Sequence, residues 1–202
     1  MLDEQQLGEY IDAHFTSTLF RLETLDKYDV SGETDDYRRY LSGQPGPTNK
    51  QPWMDVIRNE VARGLRTYRV HVVRSPLTDY LRYEFEWGYV CNAEAGEHIR
   101  ILDTAEQRKP DAVIDEDFWL IENEHALVMH YSPDGAFLGA SIAERESIPR
   151  YIAASEAAWS AATDFADYWR RHPQFWRIDR PPEKGADEGT HQHTLGNPAT
   201  AP

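Results

Sequence analysis

The segment "TYRVHVVRSPLTDYLRYEFEWGYVCNAEAGEHIRILD", residues 67–103, constrains the fold more than any other part of the chain. "RVHVV" is a β-branched run of the kind carried by a strand covered on both faces. Ser75 followed by Pro76 reads as an N-cap and a first helical residue. Beyond them Leu77, Tyr80, Leu81, Glu84, Phe85 and Gly88 trace one stripe of a helix, and Gly96 can close it in the left-handed conformation. "HIRILD" is a second strand. A strand, a helix and a strand within roughly 35 residues form a βαβ unit, with parallel strands and a right-handed crossover.

The flanking sequence extends this nucleus. "DEQQLGEYIDAHF" places Leu7, Tyr10, Ile11 and Phe15 at helical spacing, and "LFRLETLDKYDV" suits a short edge strand. "ETDDYRRYLSG" reads as a short helix stopped by Gly43, followed by a Pro- and Gly-rich loop at 42–52. In "PWMDVIRNEVARGL", Trp53, Val56, Ile57, Val61 and Leu65 share a helical face after Pro52. "DFWLIENEHALVMHYSPDGAFLGASI" breaks at "ENE" and at "SPDG" and so gives three antiparallel strands. Ile148, Tyr151, Ile152, Ser155, Ala158, Trp159, Ala162, Phe165, Ala166 and Trp169 line up along one helix of about six turns, ended by Pro173. The expectation is one α+β domain over 1–176: a mixed sheet of about five strands, one βαβ unit plus a three-stranded meander, flanked by helices. Residues 177–202, rich in Pro, Gly, Thr and charge, read as a disordered tail.

Composition narrows the partners. With 35 acidic against 21 basic residues the formal charge is −14, which opposes a nonspecific grip on nucleic acid or anionic lipid and favours a basic protein partner or a small ligand. No apolar run approaches the ~20 residues of a membrane span, and the N-terminus lacks the basic and apolar regions of a signal peptide. A cytoplasmic protein is expected. The lone Cys91 fits a reducing compartment and an inert thiol.

Charged residues in the helical stripe mark the candidate sites. Glu84 falls on the inward face and requires a cationic partner, for which Arg69, Arg74 and Arg100 are available; the reading is a structural ion pair of Glu84 with Arg69 or Arg100. Asp79, Arg82 and Glu86 point outward as a solvated face. An anion site is the functional alternative, at the carboxyl ends of the parallel strands, where Arg74, Ser75, Thr78, Asp103 and Thr104 gather beside a helix N-terminus. His71, His98, His125 and His130 have no i, i+4 partner or acidic residue at ligand spacing, and the tail pair His191 and His193 is only two imidazoles, so no metal and no cofactor is expected. Ser141 lacks the second glycine of a nucleophile elbow, and no catalytic residue emerges.

"FRLETLDKYDV", the βαβ segment and "DFWLIENEHALVMHYSPDGAFLGASI", in this order, resemble an uncharacterised domain family of actinobacteria, over residues 19 to about 170. The resemblance implies a compact cytoplasmic domain often encoded beside helix-turn-helix regulators, with no activity or site residues to carry over. "HALVMHYSPDGAFLGASI" also resembles, more distantly, one half of the phospholipase-D-like fold. In that register His125 stands at the catalytic histidine, but Leu127 replaces the lysine and Ser132 the aspartate. The phosphohistidine chemistry would lack both its cation and its orienting acid.

The function expected from these readings is a noncatalytic regulatory or accessory module that binds a protein partner, for instance a basic DNA-binding regulator, with homodimerisation as a further option. Its rival is a small-molecule module or enzyme acting on a phosphate or carboxylate ligand at the Arg74–Thr78 turn.

Overall fold

The computed structural model describes residues 1–177 except 31–33 and 49; the tail expected from 177 onward lies, apart from Arg177, outside the described residues. A seven-stranded mixed sheet runs through the domain in the order β6-β5-β4-β1-β2-β3-β7. Its strands are β1 (Thr18–Glu23), β2 (Arg66–Val73), β3 (His98–Asp103), β4 (Phe118–Ile121), β5 (His125–Tyr131), β6 (Phe137–Ile142) and the two-residue β7 (Thr163–Asp164). The expected βαβ unit is present, with β2 and β3 adjacent and parallel, and so is the antiparallel β4-β5-β6 meander.

Two strands exceed the expected five. β1 is no edge: it pairs in parallel with β2 and antiparallel with β4, at the centre of the sheet. Its charges suggested an exposed rim, but Leu19, Phe20 and Leu22 are buried and Arg21 and Glu23 find partners inside. β7 arises where the long C-terminal helix was expected to be continuous. That stretch divides into α6 (Ile148–Ala161) and α7 (Phe165–Arg171). Ala162 turns extended, Thr163 and Asp164 pair with the free edge of β3, and the Asp164 side chain caps α7 by accepting from the Ala166 N–H at 2.9 Å. The break carries the chain around the sheet edge. Ile148, Tyr151 and Ala158 therefore pack with Phe20, Leu22, Val70 and Val72 on one face, while Phe165 and Trp169 pack with Ile99, Ile101 and Phe85 on the other.

The crossover helix also departs from its expected form. Ser75–Pro76 is a cis peptide and does not open the helix; Thr78 is the N-cap, its Oγ1 accepting from the Leu81 N–H at 3.2 Å. The helix runs as α4 (Asp79–Tyr83), a π-helical turn (Glu84–Tyr89) and α5 (Val90–Ala95), and it ends at Gly96 with φ 115°. In the π-turn the Val90 N–H reaches back five residues to the Phe85 carbonyl. The wider turn directs Leu81, Phe85 and Tyr89 into one aromatic cluster, and Tyr80, Tyr83 and Trp87 into another with Tyr28 and Tyr40.

Three helices cover the rest. α1 (Glu4–His14) opens with a capping box of Asp3 and Gln6 and packs Leu7 on the meander. α2 (Thr34–Leu41) carries the buried Tyr40, and α3 (Gln51–Ala62) has Pro52 in its first turn. Of the apolar face expected on α3 only Ile57 is buried; Trp53, Val56 and Val61 are exposed, because α3 touches the body along a narrower line than its sequence suggests.

Candidate functional site

Strand alternation builds the site. In the parallel register Arg21 lies beside Arg69 and Glu23 beside His71, so these four side chains share one face of the sheet. The opposite face of the same strands, Phe20, Leu22, Val70 and Val72, is wholly apolar. The charged face is roofed by α4, the π-turn and α5, which bring Glu84, Tyr89 and Asn92 down onto it.

Arg69 is the hub. Its Nε donates to Glu97 Oε1 at 2.6 Å and its Nη1 to Glu23 Oε2 at 2.9 Å. Arg21 Nη2 bonds Glu23 Oε1 at 2.9 Å, and the Tyr89 hydroxyl lies 2.7 Å from Glu23 Oε2. Asn92 Nδ2 donates to Glu97 Oε2 at 2.8 Å. Burial alone would raise the Glu23 pKa, but the two arginines outweigh it and hold the carboxyl well below its usual range. Glu23, Arg69 and Glu97 are almost fully buried. Replacing such pairs with apolar residues is often neutral or stabilising by ~1–4 kcal/mol, so stability alone does not account for them.

His71, fully buried, completes the arrangement. Its Nε2 lies 2.9 Å from the Leu25 carbonyl, an acceptor only, which places a proton on Nε2. Nδ1 then points at the Tyr89 hydroxyl, 2.8 Å away, with Glu84 Oε2 at 3.7 Å. Burial lowers the His71 pKa against the pull of Glu23 and so favours the neutral ring. Among the described residues Glu23, His71 and Glu84 also form a group whose ligand atoms lie within 4.8 Å of one another.

Of these residues Arg21, Glu23, Arg69, Glu84, Tyr89 and Asn92 line a cavity of about 390 Å³, within the ~300–1,000 Å³ common for small-molecule sites, and the fully buried His71 lies behind that lining. Arg21, Glu23, Arg69, Glu84, Asn92, Asp36 and Lys50 form its charged and polar lining, and Tyr28, Tyr80, Tyr83 and the exposed Trp53 its aromatic lining. A larger groove of about 640 Å³ runs past Asn123, His125 and Arg145, but its charged residues are not buried.

The expected ion pair is corrected in its partners. Arg69 is a buried ion-pair residue, but it bonds Glu23 and Glu97, while Glu84 faces His71. Arg100 projects from the opposite sheet face, where it stacks on Trp159 at 4.2 Å and donates to the Trp159 carbonyl at 2.7 Å. The outward helix face is corrected too: Asp79 is exposed, but Arg82 Nε donates to the Phe175 carbonyl at 2.9 Å and Glu86 accepts the Arg177 N–H at 3.0 Å.

At the turn proposed for anions Ser75 and Asp103 bond each other, while Thr78 and Thr104 bond backbone carbonyls and Arg74 is exposed. Asp103 accepts the Ser75 N–H at 3.1 Å, the Ala105 N–H at 2.9 Å and the Tyr168 hydroxyl at 2.8 Å, while Thr104 Oγ1 donates to the Val73 carbonyl and Thr78 Oγ1 to the Asp26 carbonyl. The chain's own carboxylate thus occupies the position an anion would take. In the phosphodiesterase register, His125 Nδ1 meets the Tyr10 hydroxyl at 2.9 Å, Leu127 is buried beside Leu7 and Leu19, and Ser132 bonds Asp134 in the turn.

Sequence reasoning missed Arg21, Glu23, His71, Tyr89, Asn92 and Glu97 as site residues. One signal for them existed: the alternation Arg21/Glu23 and Arg69/His71 places charge on a single face of two strands whose other face is apolar.

Fold and site together define an α+β domain with a roofed, charged cavity on one sheet face. The chain belongs to the family described as Domain of unknown function (DUF6879), whose model matches residues 5–170. No curated protein matches it. The matched span takes in every residue of the buried network.

Proposed function

We propose that this domain is a ligand-responsive accessory module that binds a small polar molecule bearing an anionic group in the cavity between β1, β2 and the π-turn. The observation that carries the reading is the convergence of Arg21, Glu23, Arg69 and Glu84 on one open volume of about 390 Å³. Buried charged groups beside a cavity of ligand size make the default candidate for a binding site. Arg21, its side chain 21 % exposed, and Lys50 at the opening are suited to a phosphate or carboxylate, and Trp53 to a planar group.

A basic protein partner, such as a DNA-binding regulator, is the second element of the proposal. It is favoured by the charge of −14 and by exposed Trp53, Val56 and Val61 on α3, of which Trp53 lines the same cavity. Occupancy of the cavity would then be sensed by the partner through α3.

Thermal-shift screening of the full chain with nucleotides, sugar phosphates and carboxylates tests the first element. A hit that Trp53→Ala weakens supports it; hits indifferent to Trp53→Ala, or no hits, refute it. Association with candidate regulators over a salt series tests the second, and salt-insensitive or absent binding refutes that.

A further inference from the structure

We propose that Glu23, His71 and Glu84 together hold a first-row divalent cation of the Zn²⁺ or Mn²⁺ type at the wall of the cavity that Glu23 and Glu84 line, with His71 buried behind it. This deepens the proposed function and rests on it, since the cation would supply the contact for the ligand's anionic group.

Donor geometry is the first argument. The three side chains come from β1, β2 and the π-turn, and their ligand atoms lie within 4.8 Å of one another. Carboxylates about 2.0–2.2 Å and an imidazole about 2.0–2.1 Å from a common centre stand at most about 4.4 Å apart, so the three donors need close by no more than a few tenths of an ångström to share an ion. One imidazole with two carboxylates suits the borderline and harder divalent ions, and three protein ligands leave a position open, as in catalytic and ligand-binding metal sites.

The surrounding groups are the second. Metal-bound histidines characteristically donate their other ring N–H to a carbonyl or carboxylate, which fixes the tautomer. The Leu25 carbonyl does this for His71 Nε2 and leaves the Nδ1 lone pair facing the Tyr89 hydroxyl, with Glu84 Oε2 3.7 Å away. Ligating carboxylates are themselves hydrogen-bonded. Glu23 has Arg21, Arg69 and Tyr89, three contacts of the roughly four that two carboxylate oxygens accept.

Proton counting is the third. The Tyr89 hydroxyl lies 2.8 Å from His71 Nδ1 and 2.7 Å from Glu23 Oε2. It has one proton for two acceptors, so one of these two short contacts holds no proton, although Glu23 Oε2 also accepts from Arg69 Nη1. A cation on Nδ1 removes the conflict and leaves the hydroxyl to Glu23.

An independent observation comes from Asn92. It is buried, its amide nitrogen is committed to Glu97, and its Oδ1 has no hydrogen-bond partner although it borders this cavity. Native proteins seldom leave such an acceptor unsatisfied. A metal-bound water, or the donor group of a ligand, would satisfy it.

The test is a titration of the chelator-stripped full chain with Zn²⁺, Mn²⁺ and Co²⁺, read by calorimetry and by the visible spectrum of Co²⁺. The expected result is one ion per chain, weakened about tenfold or more by Glu84→Gln. Glu84 is only partly buried, so this variant keeps its fold, which circular dichroism checks. His191→Ala/His193→Ala removes the C-terminal imidazoles as a rival source and should leave the stoichiometry unchanged. Absence of binding by all three ions overturns the inference, as does binding that Glu84→Gln leaves intact or that the double histidine variant abolishes. Should the ions fail to bind while a Trp53-dependent organic ligand persists, the metal inference falls and the cavity reading stands.

Discussion

Arg69→Met is the most direct probe of the buried charge network. The guanidinium bridges Glu23 and Glu97 at 2.9 and 2.6 Å, and all three side chains are at least 94 % buried. Methionine matches much of its length but leaves both carboxylates without their shared cation. Glu23 retains Arg21 and Tyr89, whereas Glu97 retains only the amide of Asn92. Breaking a buried pair by removing one partner costs about 3–5 kcal/mol. At a urea m-value of about 2 kcal/mol/M the midpoint should fall by ~1.5–2.5 M with m unchanged. Glu97→Gln in the Arg69→Met background should recover part of the loss, because it neutralises the more isolated charge. Glu23→Gln should recover less, because it strands Arg21. Equilibrium urea unfolding of the four proteins decides the matter. A loss below ~1 kcal/mol for Arg69→Met would mean that water reaches both carboxylates, and the buried-network reasoning would fail.

Other perturbations follow from the same geometry. Phe85, fully buried and stacked on Tyr89 with ring centroids 5.0 Å apart, should cost about 3–5 kcal/mol as Phe85→Ala, measurable by the same unfolding curves. Gly135 has φ 93°, and an added Cβ would come within 2.6 Å of the Lys27 carbonyl oxygen, so Gly135→Ala should lose roughly 1–3 kcal/mol and lower the thermal midpoint. Burial would raise the Asp103 pKa, but the Ser75 and Ala105 N–H groups and the Tyr168 hydroxyl outweigh it and hold the carboxyl below its ordinary value. The unfolded chain therefore takes up that proton first as pH falls: the stabilisation is full above about pH 4 and is lost as pH drops through the lower native value. Asp103→Asn should flatten the acid limb of a stability-versus-pH profile, and an unchanged limb would refute the assignment.

What could be read from the chain and what could not divides along physical range. Local patterns determined the βαβ unit, the β4-β5-β6 meander, the packing face of α1 and the helix stop at Gly96, because each depends on periodicity or turn chemistry within a dozen residues or so. The inward position of Glu84 and the buried role of Arg69 were legible for the same reason. Their partners were not. Glu23, Arg69 and Glu97 are separated by 46 and 28 residues, and they meet only because β1 enters the sheet beside β2 and the crossover helix returns above them. The C-terminal seam has one local sign of division, Asp164 as the N-cap of α7, but the pairing of Thr163 and Asp164 with the free edge of β3 is a tertiary contact. Helical and strand period is a property of neighbouring residues, whereas an ion pair, a cavity or a metal-binding triad depends on which strands become neighbours. That choice is made by the burial of the whole sheet, and so Glu23, His71 and Glu84 come within 4.8 Å of one another only in the folded chain.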